Sequence, residues 1–313
     1  MYRFKSTINP TELKRRYLKE YNVNLLQRKL EVLLKAYPDL KIALPNNLSA
    51  RTLLIGDFKY LAKVYWAFTD YLKGKEDRTI ILQAFVNGGF NYDSHKKDIR
   101  CFLMNAANGF EIHNCVYCDL EDLTSFTKAN GQVVRRFDSE HVLDKGECPL
   151  VALSLYNFVP SCGTCNGPDI KGTKTVGDTE YETVRLSPSA EGYNFEDNVR
   201  FEVNMINPAA EDSKECSHPN DYKVGFCLKD KLYQKSIDLF ELESRYNQDK
   251  VKNELLKWRE KRRKYPDNIV REFAVMVGVP FAEQFEIMFE LRRGKQNHYI
   301  KEKARRDIML IRE

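Results

Sequence analysis

Two C-x-x-C pairs, Cys115-Val-Tyr-Cys118 and Cys162-Gly-Thr-Cys165, stand about forty residues apart and constrain this chain more than any other feature. Each pair offers two thiolates at a spacing that suits one tetrahedral ion, so the four together predict a structural zinc site. Bringing them to one ion would clamp both ends of the segment between them. Four thiolates leave no coordination position for water, so such an ion would support the fold and do no chemistry. A redox pair is the alternative; two pairs, with glycines at the second, favour metal.

The remaining cysteines, Cys101, Cys148, Cys216 and Cys227, are scattered. They are expected to be small buried apolar side chains in a reducing cytosol, which makes the predicted location cytoplasmic. Met1 to Ser6 lacks the apolar run of a signal peptide, and no apolar run approaches the roughly 18 residues of a membrane span. The net charge of +5 over 313 residues permits a polyanionic partner without demanding one.

Hydrophobic spacing predicts a mainly helical region over residues 1–110, beginning with a helix over 9–36 whose inner face holds Leu13, Tyr17, Tyr21, Leu25, Leu30, Val32 and Leu33. Residues 39–47, rich in proline and asparagine, read as a loop. A helix near 56–72 carries Phe58, Leu61, Val64, Tyr65 and Phe68 as core, and another lies near 94–107. Alternation at Tyr181–Leu186 and Val199–Val203 predicts extended chain over 180–207, and 207–222 reads as an exposed loop. A long helical pattern covers 231–264, with Ile237, Phe240, Leu242, Tyr246, Val251, Leu255 and Trp258 as its inner face, and two more helices fill 267–277 and 280–312. The expected organisation is α+β in three regions: 1–110 helical, 111–178 a cysteine-stapled core, and 179–313 extended chain followed by helices.

Chemistry-bearing residues concentrate inside the cysteine frame. His141 is a candidate general base, because an imidazole near its ordinary pKa of about 6.5 is largely neutral at physiological pH. Adjacent side chains on a strand point to opposite sides, so Glu140 could face a cation while His141 faces an attacking water. Asn166 could add a neutral oxygen, and one carboxylate plus one amide suits Mg²⁺ or Mn²⁺. Asp138 is a second candidate acid. Asn157 is a candidate to orient His141 or brace its loop, and Lys171 and Lys174 could meet phosphates.

Phe137-Asp-Ser-Glu140-His141-Val, followed by Pro149-Leu-Val-Ala-Leu-Ser-Leu-Tyr156-Asn157-Phe-Val-Pro160-Ser-Cys162-Gly-Thr-Cys165-Asn166, resembles the HNH (ββα-metal) endonucleases, and more narrowly their bacterial zinc-knuckle group. The likeness covers about sixty residues. It implies a ββα-metal core in which His141 is the general base, Asn157 the middle asparagine and Asn166 the final metal-binding position. Glu140 stands where the family usually has aspartate, and Gly167-Pro168-Asp169 partly replaces its basic residues. The implied activity is hydrolysis of DNA with Mg²⁺ or Mn²⁺, and the implied context is anti-phage defence with an ATPase partner, as in Septu-like and retron-linked systems. Two rivals stand beside this: the same chemistry on RNA, and a binding module that keeps the zinc fold without catalysis. The basic clusters Arg259–Lys264 and Arg292–Arg306 are read as solvated helix faces, with nucleic-acid contact as the alternative.

Overall fold

Side-chain caps decide where the first helices begin. Asn9 accepts from the Thr11 N–H, with Pro10 in the first turn of α1 (Pro10–Leu18). Asn22 accepts from the Leu25 N–H at 3.0 Å and starts α2 (Val23–Ala36). The continuous helix expected over 9–36 is thus two, and the break resets the phase. α2 buries Leu26, Leu30 and Leu34, whereas Leu25 and Val32 are exposed. The expected loop over 39–47 begins as a helix, α3 (Pro38–Ala43), because Pro38 sits where its missing N–H costs nothing.

The computed structural model describes residues 1–206, 219–291 and 300–310. Cys216, most of the expected 207–222 loop and the Arg292–Lys295 cluster lie outside the described residues. The chain divides into two compact units, one of Tyr2–Tyr117 with Leu123–Asn194, the other of Met1, Cys118–Asp122 and Phe195–Glu313. The N-terminal helices and most of the cysteine-framed segment fall in the same unit.

In the first unit, α4 (Ala50–Ile55), α5 (Phe58–Leu72), α6 (Arg78–Asn87) and α7 (Tyr92–Met104) complete the helical part. α5 buries Phe58, Leu61, Val64, Tyr65 and Phe68, as its pattern predicts. β1 (Phe126–Thr127) pairs with β2 (Val133–Val134) in a short hairpin. β3 (Asp138–His141) pairs antiparallel with β4 (Phe158–Ser161), Asp138 opposite Ser161 and His141 opposite Phe158, and α8 (Gly163–Asn166) follows directly. Between those strands the apolar run forms two buried 3-10 turns, Pro149–Val151 and Leu155–Asn157. Tyr17 Oη donates to Leu153 O at 2.9 Å and Ser154 Oγ to Leu53 O at 2.5 Å, which ties those turns to α1 and α4.

Residues 180–186, expected to be extended, form α9 (Glu180–Leu186). Thr179 caps the Glu182 N–H, and the Thr-x-x-Glu spacing is a helix-start signal that outweighs the alternation. Thr183 and Leu186 turn inward at helical spacing while Tyr181 stays exposed.

The second unit opens with α10 (Phe195–Asn198) and a hairpin of β5 (Val199–Met205) and β6 (Tyr222–Leu228). The pattern over 231–264 is interrupted into α11 (Gln234–Leu239), α12 (Leu242–Tyr246) and α13 (Asp249–Lys264). Of its expected inner residues, Ile237, Phe240, Leu242, Tyr246 and Leu255 are buried all the same, and Val251 and Trp258 are half-buried. One interruption has a clear cause: the Asn247 amide accepts from Val224 N at 2.9 Å and donates to Val224 O at 2.8 Å, serving β6 as a neighbouring strand would. α14 (Asp267–Val277), α15 (Phe281–Phe289) and α16 (Glu302–Met309) close a core of Val270, Phe285, Phe289, Leu291 and Met309, with Trp258 against it. The fold is mixed, mainly helical with small antiparallel sheets. Among the described residues no helix is long and apolar enough to cross a membrane.

Candidate metal centre and polar face

Cys115, Cys118, Cys162 and Cys165 are buried, and their sulfurs all lie within 4.8 Å of one another. A tetrahedral ion with metal–sulfur bonds of about 2.3 Å needs sulfurs about 3.8 Å apart, so this cluster could hold a metal such as zinc. Backbone N–H groups point at three of the sulfurs: Cys162 N at Cys115 Sγ (3.4 Å), Cys165 N at Cys162 Sγ (3.4 Å) and Leu120 N at Cys118 Sγ (3.5 Å). Such donors suit sulfur acting as an electron-rich ligand. Of the scattered cysteines, Cys148 is buried as expected, but Cys101 and Cys227 are exposed. The apolar-filler reading is corrected for those two, whose places on α7 and β6 face outward.

The polar residues of β3 separate by strand alternation. Asp138 and Glu140 share one face with their cross-strand partners Ser161 and Val159, and Ser139 and His141 take the other. On the acidic face, Asn166 Nδ2 donates to Asp138 Oδ2 at 3.2 Å, and Arg100 of α7 lies 3.9 Å from Asp138 Oδ1. The Ser161 hydroxyl is fully buried and has no hydrogen-bond partner among the described residues. Glu140 is 5% exposed and pairs with Lys171, Nζ to Oε1 2.5 Å. Burial pushes the Glu140 carboxyl above its ordinary range, and the Lys171 charge opposes that.

Lys171 is therefore not placed for the phosphate contact expected of it. It is 1% exposed, and besides Glu140 it donates to His141 O at 2.8 Å. The turn after α8 aims it inward: Lys171 N reaches Cys165 O at 3.3 Å and Gly172 N reaches Gly167 O at 2.9 Å. Gly172 has φ +49°, and a Cβ there would meet Pro168 Cα and O at 3.2 Å. Gly172→Ala is expected to cost about 1–2 kcal/mol from the left-handed conformation alone; an unchanged melting temperature would count against this account of the turn. Lys174 is exposed and donates to Ile170 O at 3.0 Å.

His141, 7% exposed, sits with its ring 4.5 Å from the Tyr92 ring and 4.7 Å from that of Phe158, centroid to centroid. Its Nε2 lies 3.0 Å from Ala152 O; a carbonyl only accepts, so this hydrogen bond puts the proton on Nε2 and leaves Nδ1 as the basic nitrogen. Burial pulls the pKa down to about 3, with the Ala152 carbonyl opposing, so the ring is neutral. Asn157 is fully buried and braces the loop after β3: Leu143 N donates to Oδ1 (2.8 Å), and Nδ2 donates to Leu143 O and Val151 O (both 3.0 Å). Both donors and one of two lone pairs are occupied by backbone, so Asn157 braces this loop.

In the second unit the basic clusters are neither solvated nor free for phosphate at several positions. Arg262 pairs with Asp267 at 2.5 Å and covers the rings of Phe285 and Phe289. Arg305 lies 4.6 Å over Trp258, Arg306 pairs with Glu196 at 2.8 Å, and Lys301 with Glu254 at 2.9 Å.

The structure thus brings Asp138, Glu140, Asn166 and Lys171 together and sets His141 on the opposite face of the same strand. Ser161, Arg100 and Tyr92 are site residues that sequence reasoning missed. Ser161 lies just before the second cysteine pair and could have been found by pairing the two strands; the other two come from α7 and left no local signal. Comparison of the chain with protein-family models, with curated proteins and with solved structures found no match.

Proposed function

We propose that this chain is a metal-dependent phosphodiesterase of the HNH type that cleaves DNA, with zinc in the four-cysteine cluster and Mg²⁺ or Mn²⁺ on the acidic face of the β3–β4–α8 unit. The observation that carries it is the grouping of Asp138, Glu140 and Asn166 on one face of a hairpin that runs directly into the second cysteine pair, with the orphan Ser161 hydroxyl among them. Carboxylate, amide and hydroxyl oxygens suit a small hard divalent ion. When bound, that ion would stabilise charge on the phosphate and the leaving 3′ oxygen. His141 Nδ1 would take the proton of a water whose oxygen attacks phosphorus. The bond to the 3′ oxygen breaks as the new one forms, giving a 5′ phosphate and a 3′ hydroxyl protonated from solvent.

A second reading, a binding module without catalysis, is favoured by one observation: His141 is packed like a core histidine between Tyr92 and Phe158. Cleavage of supercoiled plasmid with Mg²⁺ or Mn²⁺ separates the two. The wild type is expected to nick, and His141→Ala, folded and with full zinc content, to lose about 10²–10⁴-fold in rate, the usual contribution of a general base. Wild-type and His141→Ala proteins that cut equally would remove His141 from the chemistry. A wild type inert on plasmid and on matched DNA and RNA duplexes would favour the binding module. Cleavage of the RNA duplex alone would move the reading to RNA.

A further inference from the structure

Resting on that reading, we propose that the divalent ion binds at the Asp138–Asn166–Ser161 end of the acidic face and that Glu140, the acid next to the histidine, is not one of its ligands. Glu140 already has a cation. The Lys171 ammonium lies 2.5 Å from Oε1 in a site where the two side chains are 1% and 6% exposed, so little solvent screens it. A divalent ion on Glu140 would be repelled by that ammonium at close range, and Lys171 is held in place by a second bond to His141 O and by the turn anchored at Cys165.

The other end of the face differs on each count. The Asp138 side chain is 40% exposed, so an ion can arrive with most of its water shell, as Mg²⁺ prefers. Because Asn166 Nδ2 is the atom turned to Asp138 Oδ2, its Oδ1 is left as a neutral ligand. Ser161 stands directly across from Asp138 in the strand register, fully buried, with a hydroxyl that no group among the described residues satisfies. A metal-bound water, or the ion itself, is the partner such a group lacks. Arg100, a cation that also faces Asp138, is held at 3.9 Å, a looser contact than the Lys171 pair.

The test is Mn²⁺ binding to the full chain, read by electron paramagnetic resonance with zinc already loaded, alongside plasmid cleavage. Asp138→Asn is expected to weaken Mn²⁺ binding by about tenfold or more, as loss of a charged ligand does, and Ser161→Ala to weaken it less. Glu140→Gln is expected to change it by less than about threefold. Since Glu140→Gln strands a buried ammonium and can fail to fold, the pair Glu140→Gln with Lys171→Met removes both charges and carries the same expectation. Tenfold weakening in that double variant, with Asp138→Asn unaffected, overturns the assignment and leaves the nuclease reading standing. A zinc-loaded wild type that binds no Mn²⁺ and cuts nothing overturns both.

Discussion

Stripping the metal from the four-cysteine cluster, or replacing Cys165 with serine, is expected to unfold much of the first unit. Binding of structural zinc is folding free energy, of order 10–16 kcal/mol in small zinc domains, against a typical total stability of about 5–15 kcal/mol. Here the loss falls on a segment with little regular structure: β3 and β4 are four residues each, and α8 is a single turn. The turn that delivers Lys171 hangs from Cys165 through its carbonyl, so disorder at the cluster passes directly to Glu140 and His141. Chelation under reducing conditions should lower the melting temperature by at least ~10 °C for a loss of about 5 kcal/mol in a unit of this size. It should also free four thiols for titration as one ion leaves. Metal-free protein that melts at the same temperature would show that the cysteines are ordinary core residues.

Asn157→Ala is expected to be the most damaging single substitution away from the cysteines. It leaves the Leu143 N–H and the Leu143 carbonyl unpaired inside the protein, each at a cost of roughly 1–3 kcal/mol, and takes one of two donors from the Val151 carbonyl, which keeps the Ser154 N–H. A loss of about 3–5 kcal/mol follows if part of the strain relaxes. Asn157→Leu, which restores volume, should recover little of it, because the deficit is polar. Urea denaturation checks this, and a change below about 1 kcal/mol would sink the brace assignment. Any variant folded at low temperature should keep its cleavage rate, since the asparagine touches backbone and no reacting group.

These two expectations differ in how far they could be reached from the chain alone. The cysteine cluster could be read at once, because a C-x-x-C pair is a local object whose two sulfurs are held near each other by covalent geometry. The partition of Asp138 and Glu140 from Ser139 and His141 was equally legible, since alternation needs only that the segment be extended. Inner faces survived where their helices did not: Ile237, Phe240 and Tyr246 are buried although the expected helix is broken at Glu241 and Asn247. Burial follows apolarity, whereas continuity depends on what a neighbouring element requires.

The misreadings share one origin. Tyr181–Leu186 alternates like a strand and yet is a helix, because Thr179 caps the Glu182 N–H in its first turn. Lys171 lies just beyond the second cysteine pair, where the sequence offered it as a phosphate contact. Its actual surroundings are Glu140 and the His141 carbonyl, thirty-odd positions back along the chain. By itself the sequence determined a four-cysteine frame that could hold a metal, a short polar strand inside it and the residue types available for chemistry. Only the tertiary structure decided which acid keeps a cation of its own, which asparagine is a brace, and that a ring from α7 would cover the histidine. Spacing along a chain specifies local geometry, but a charge takes its role from whatever the fold brings to within a few ångströms of it.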